Sequence, residues 1–315
     1  MTRKKIHCVF FAFIFMPISF AWAQEDLMAE LNKSLPKDQG FRSATFKGTK
    51  LVNLHTVETL GSGTLEFRIA HRFGDFSSGA NNLWGLDGPA TIQFHLDYAI
   101  TDRLMVGVGR ASYNKMFDAF AKYKLLRQTT DNRMPVTLTF LGSMNVTSNI
   151  DPNKALNGAD RYQYFSSRCA YLAQAMIARK FNSNFSLQVS PLYIHYNMVN
   201  ALTDQNDIFA VGVSSRYKIT GSLALTGEYV YRVNKYSRDF DLYHNALSFG
   251  FDLETGGHIF QVFVTNSIGI NEVSVVPYTE SSWSKSQFRL GFNISRVFGL
   301  THKSTAIRTA GTQRG

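Results

Sequence analysis

The sequence predicts an all-β protein: a transmembrane, antiparallel, up-and-down β-barrel of about twelve strands, preceded by an N-terminal periplasmic or lumen-inserted segment. Three observations carry this. Between Thr64 and Phe298, apolar and polar residues alternate through about a dozen segments, the period of a strand with one apolar face. The connections between the segments alternate short and long, as in bacterial outer-membrane barrels. A secretory leader stands in front of them.

Residues 1–23 read as that leader. Arg3, Lys4 and Lys5 form its charged start, an apolar run extends from Ile6 to Phe20, and Ala21-Trp22-Ala23 is an A-x-A cleavage signal. Residues 24–63 then break the rhythm. Residues 25–31 suit a short amphipathic helical turn, residues 47–58 (KGTKLVNLHTVE) one extended strand, and Gly61-Ser62-Gly63 a hinge. Leu51, Val52, Leu54 and Val57 mix with polar residues there, and such an apolar side seeks cover. The stretch is therefore expected to fold back into the periplasmic mouth, where His55 and Glu58 would meet lumen charges such as Arg68 or Lys124. A poorly ordered N-terminus is the alternative.

The strands follow in order. The first, 65–73, sets Leu65, Phe67 and Ile69 against Glu66, Arg68 and Arg72. The second, 91–100, sets Ile92, Phe94, Leu96 and Tyr98 against Gln93, His95 and Asp97. The third is the short run 104–110. The fourth, 117–126, places Phe117, Ala119, Ala121, Tyr123 and Leu125 opposite Asp118, Lys122 and Lys124. The fifth is 136–146, the sixth lies within 162–180, and the seventh is 185–196. The eighth, 208–219, turns Phe209, Val211, Val213 and Tyr217 outward, leaving Arg216 and Lys218 inward; the ninth, 223–233, turns Glu228 and Arg232 inward. The tenth, 243–253, turns Leu247, Phe249 and Phe251 outward and Asp252 inward. The eleventh is 258–266, and the twelfth, 288–298, turns Arg289 and Asn293 inward.

Between strands two and three, six and seven, eight and nine, and ten and eleven lie Thr101-Asp102-Arg103, Asn182-Ser183-Asn184, Thr220-Gly221-Ser222 and Glu254-Thr255-Gly256-Gly257, compositions that make tight turns. The polar stretches 74–90, 147–160, 197–207 and 267–286 are the long connections. Connection 127–134 is long for a turn. An even strand number puts both termini in the periplasm and the whole domain, 64–298, in the outer membrane; a basic tail, 299–315, follows.

A soluble β-sandwich also alternates. It would not carry charges of both signs on its second face, and it needs no aromatic residues at both ends of its outer face. Aromatic residues make up 14% of the chain, and no apolar run long enough for a helical span follows the leader. The net charge is +10, and without the leader's three positive charges it is +7. The basic residues form no stripe interleaved with aromatics, so nucleic acid is not an expected partner. The cysteines are Cys8, in the leader, and Cys169, in a strand-like run, where a small wall residue is the plainer role.

Several runs also resemble a known family: residues 46–74 (FKGTKLVNLHTVETLGSGTLEFRIAHRFG), 99–128, 177–191, 247–267 and 288–298 (FRLGFNISRVF). The chain resembles an uncharacterised bacterial family of β-barrel outer-membrane proteins, a domain-of-unknown-function family. The resemblance implies the barrel and brings no activity and no site residues.

Chemistry-bearing motifs are scarce: there is no G-x-S-x-G, no H-E-x-x-H and no phosphate-binding glycine loop. His244 and Ser248 share a strand face but stand about 13 Å apart, so they form no dyad. The expectation is a protein that is not an enzyme, with no cofactor and no metal. The functional signal is the inward charge. Glu66, Arg68, Arg72, Asp97, Asp118, Lys122, Lys124, Arg216, Glu228, Arg232 and Arg289 are candidate pore-lining residues, since rings of lumen charge set selectivity. The reading is a porin-like channel for small polar solutes with a mild anion bias, in contact with outer-membrane lipid. A closed structural or docking barrel is the alternative, and a barrel-embedded hydrolase a distant one.

Overall fold

The computed structural model describes residues 40–42, 44–151, 162–200, 202–234 and 242–300. The leader, the expected helical turn at 25–31 and the tail beyond residue 300 lie outside the described residues.

Twelve strands close into one barrel: β1 (Thr64–Arg72), β2 (Thr91–Ala99), β3 (Leu104–Ala111), β4 (Met116–Leu126), β5 (Thr137–Thr147), β6 (Cys169–Lys180), β7 (Phe185–Tyr196), β8 (Asp207–Lys218), β9 (Leu223–Arg232), β10 (Ala246–Thr255), β11 (His258–Thr265) and β12 (Arg289–Gly299). Each pairs antiparallel with its sequence neighbours, and β1 meets β12 in register from Thr64↔Gly299 to Arg72↔Gly291. No strand edge remains, the condition for a sheet in hydrocarbon. The period-two pattern holds throughout: Phe94, Leu96 and Tyr98 are exposed, while Gln93, His95 and Asp97 on the same strand are buried.

The sixth strand lies within 162–180 and starts at Cys169, because Phe165–Arg168 makes a 3-10 turn before it. Two expectations are corrected. The tenth starts at Ala246, since His244 N–H bonds Thr279 O in the β11–β12 connection instead of entering the ladder. Residues 47–58 are not one extended strand. Leu51 N–H bonds Leu54 O, Thr56 N–H bonds Thr49 O, and Lys50 bridges His55, so the chain reverses in a tight hairpin. An extended chain in the lumen would leave these backbone groups without partners.

Both legs of this hairpin stand at the short-turn end. Gly40 O and Arg42 N–H bond Thr130 N–H and Gln128 O, and Phe41 bridges Thr129, which explains the length of the 127–134 connection. The second leg leaves past Thr59, bonded to Asp102 O, and Ser62, bonded to Asp102 Oδ1. Gly63, at φ 73°, turns it into β1.

The β11–β12 connection also departs from expectation. Instead of a polar outer loop, it dips into the lumen from the long-connection end. Ile270, Val273, Val275 and Val276 are buried there, and a single helical turn, α1 (Glu272–Val275), packs beside β6. Apolar side chains spaced this closely find cover only inside the barrel.

Candidate functional site: a filled, charge-lined lumen

All eleven candidate pore-lining residues point inward, yet most of those in the central lumen bond the N-terminal hairpin. Glu228 accepts the N–H groups of Val52 (3.3 Å), Asn53 (2.9 Å) and Leu54 (3.0 Å). Arg72 donates to Val52 O (3.0 Å), Asn53 Oδ1 (3.2 Å) and Asn293 Oδ1 (3.0 Å), with its guanidinium 4.4 Å over Phe263. Lys122 donates to Thr49 O at 3.2 Å. Glu66 accepts from Thr49 Oγ1 (2.7 Å) and Arg68 (2.9 Å), and Arg68 also pairs with Asp97 at 3.2 Å. Lys124 pairs with Glu58 at 3.3 Å, as expected from the sequence.

The rest sit away from the hairpin tip. Arg216 stands 4.0 Å from Asp252, and Glu254 pairs with Lys47 (2.6 Å) at the short-turn mouth. Arg232 donates to Tyr243 O (2.5 Å), and Arg289 meets Asp75 (3.4 Å) and Ser281 (2.8 Å), both at the long-connection end. Asp118 binds His95 Nε2 (2.6 Å), whose Nδ1 lies 2.5 Å from Asp97.

Several partners were not among the candidates. His95 bridges two carboxylates, and its ring fits only because Gly109 faces it: a Cβ there would overlap the imidazole, and one on Gly107 would overlap Asp97 and Phe120 beside it. Gln188 takes Val57 N–H (2.8 Å) and donates to His55 O (2.8 Å). Glu272 of α1 pairs with Lys50 (3.3 Å) and accepts His55 N–H (2.9 Å), so the two lumen-filling segments grip each other at mid-barrel. The His55 ring packs on Phe120 rather than reaching Arg68. Ser248 bonds Thr265 Oγ1 and Asn53 Nδ2, not His244.

Above α1 a cavity of about 350 Å³ opens at the long-connection end. Five of the six connections at that end contribute described residues to it: Tyr113, Asn149, Met198, Tyr243 and Tyr278 stand for them in turn. Tyr278 meets Tyr196 and Tyr243 edge-on at 6.1 and 6.3 Å. Arg168 lies 4.3 Å over Tyr162 and donates to Asn149 O at 2.7 Å. Burial first, then the charge of Glu280, pushes the Tyr113 phenol up to about 12.

No curated protein matches the sequence. Among solved structures the fold is similar to the KdgM porin, at 9% identity and TM-score 0.45, covering 75% of this chain and 99% of that one. It is similar to the COG4313 outer membrane channel from Pseudomonas putida F1 (15%, TM-score 0.43, 77% and 98%) and to outer membrane phospholipase A from Escherichia coli (12%, TM-score 0.41, 75% and 93%). Likenesses this distant say nothing of ligand or activity. The family model for the membrane bound beta barrel domain DUF5777 matches residues 46–298, and the chain belongs to that family.

Proposed function

We propose that the protein is an outer-membrane channel for small polar solutes, held shut at rest by its own N-terminal hairpin. One observation carries the reading: the hairpin is bonded to the wall by lumen side chains, while the strand ladder closes without it. Side chains such as Glu228, Arg72 and Lys122 can exchange a hairpin bond for water, and the wall left behind is a polar, charged lumen. Among the eleven candidates basic groups outnumber acidic ones, which favours small anions. The long connections then face outside, both termini lie in the periplasm, lipid surrounds the apolar outer face, and no catalytic step is part of the reading.

The closed-barrel reading has its own support in the burial of Phe46, Leu51, Leu54 and Val57, whose removal into water would cost roughly 1.5–3 kcal/mol each. Planar-bilayer recording separates the two. The full chain is expected to open rarely, and a variant lacking residues 44–58 to conduct steadily. Cysteines replacing Asn53 and Ser248, whose side chains are 3.2 Å apart, should lock the channel until a reductant is added. A silent deletion variant that is folded by its heat-dependent gel migration would leave the closed structural barrel.

A further inference from the structure

The cavity at the long-connection end has a composition that neither the closed lumen nor the strand ladder calls for. Tyrosine supplies a flat apolar face and a polar rim at low conformational cost. Tyr113, Tyr162, Tyr196, Tyr243 and Tyr278 are among the described residues around one space of about 350 Å³, within the size range of small-ligand sites, with Arg168 lying over the Tyr162 ring. Among the described lining side chains, charge of each sign is present once, in Arg168 and Glu280. Asn114 and Asn149 add amides that both donate and accept. A strongly charged ligand would meet a repelling group as well as an attracting one. A ligand with apolar C–H faces and a rim of hydroxyls would find both stacking and hydrogen-bonding groups among these residues.

That description is a pyranose ring. Its axial C–H groups can lie on tyrosine faces while its hydroxyls bond the guanidinium, the carboxylate and the amides. We propose that this vestibule is a binding site for neutral oligosaccharides of two to three hexose units. The inference deepens the channel reading, and its meaning for transport rests on that reading; the binding itself does not.

The site also touches the device that closes the lumen. Tyr278 N–H bonds Ser274 O (3.2 Å), and Val276 N–H bonds Glu272 O (3.0 Å). Tyr278 in the vestibule and Glu272, which bonds the hairpin, are thus two ends of one helical segment, and Tyr196 OH donates to Val273 O between them. A sugar seated against Tyr278 bears on the segment that holds Lys50.

The test is titration calorimetry on the detergent-solubilised full chain with cellotriose and with maltotriose, alongside free tryptophan as a stacking ligand without hydroxyls. Saturable one-site binding of at least one sugar is expected. Tyr278→Ala and Tyr243→Ala should each weaken it tenfold or more, with heat-dependent gel migration unchanged to show an intact barrel. No binding of either sugar by the folded chain would overturn the proposal. So would binding indifferent to both substitutions, or tryptophan binding at least as tightly as the sugars. Conductance by the hairpin-deletion variant without sugar binding rejects this site and keeps the channel. Sugar binding without any conductance does the reverse.

Discussion

The lumen wall has two unlike arcs, and the hairpin rests on both. From β5 to β8 the inward side chains include Leu141, Leu172, Met176, Leu192, Ile194 and Ile208, all buried. Across the lumen, β1, β2 and β4 turn in Glu66, Arg68, Arg72, His95, Asp97, Asp118 and Lys122. Leu54 reaches the apolar arc closely enough that a Cβ on Gly212 of β8 would strike it. The charged arc reaches Thr49, Val52 and Asn53 through directed bonds. Apolar contact holds by area and tolerates sliding; directed bonds fix register but can be replaced by water. One arc therefore keeps the hairpin in, and the other decides where it sits.

Four substitutions test this division, each read by hydrogen exchange of the hairpin amides, residues 52–55, in the intact barrel. The largest effect is expected where the two filling segments meet. Glu272→Ala leaves Lys50 buried without its carboxylate, which costs about 3–5 kcal/mol. Exchange should accelerate a hundredfold or more. The double variant Lys50→Met/Glu272→Leu should regain most of the protection, and equal loss in both would show that the pair does not act as a unit. Next comes the apolar arc: Leu54→Ala removes a fully buried side chain, for about 2–4 kcal/mol. Protection unchanged by that substitution would mean the charged arc holds the hairpin alone.

A smaller loss belongs to Glu228→Gln. The amide keeps one accepting oxygen for the three N–H groups of residues 52–54 and adds a donor that faces them, for about 1–3 kcal/mol. If the arcs divide the work as described, exchange should rise most at Asn53, the residue with two bonds to this carboxylate. The smallest effect is expected at the mouth. Lys124→Ala breaks the partly exposed pair with Glu58 and should change protection by less than about 1 kcal/mol, and less still in high salt. A larger change there would place the main anchor at the mouth instead of at mid-barrel.

The outer surface was readable because lipid imposes a strict period of two, and strands such as β2 and β4 obey it at every position. The shortest strand reading, in the third segment, has a physical origin: Gly107 and Gly109 give its inner face no side chain to alternate with. The facing of the charged residues followed from the same rule. Apart from Glu58 for Lys124, their partners did not, because Glu228, Arg72, Lys122 and Gln188 bond backbone atoms of the hairpin, and no side-chain pattern encodes a backbone partner. The inward dip of residues 266–279 was hidden for a related reason. Ile270, Val273, Val275 and Val276 are interspersed with Asn271, Glu272 and Ser274, a mixture that reads as a surface loop until Lys50, Tyr196 and the wall of β6 supply partners.

The hairpin is tied at both legs to one end of the barrel, which gives its response to force a direction. Traction on the chain ahead of Gly40 would first load the clamp at residues 40–42. Its two backbone bonds, Thr130 N–H to Gly40 O and Arg42 N–H to Gln128 O, would yield in succession, as in peeling a tape. Only then would tension reach the Lys50–Glu272 pair and draw the tip back the way it entered. A push from the opposite end would drive α1 onto the hairpin and tighten the same contact. Such a barrel would act as a mechanical rectifier, yielding to a pull from the side of its short turns and resisting a push from the side of its long ones.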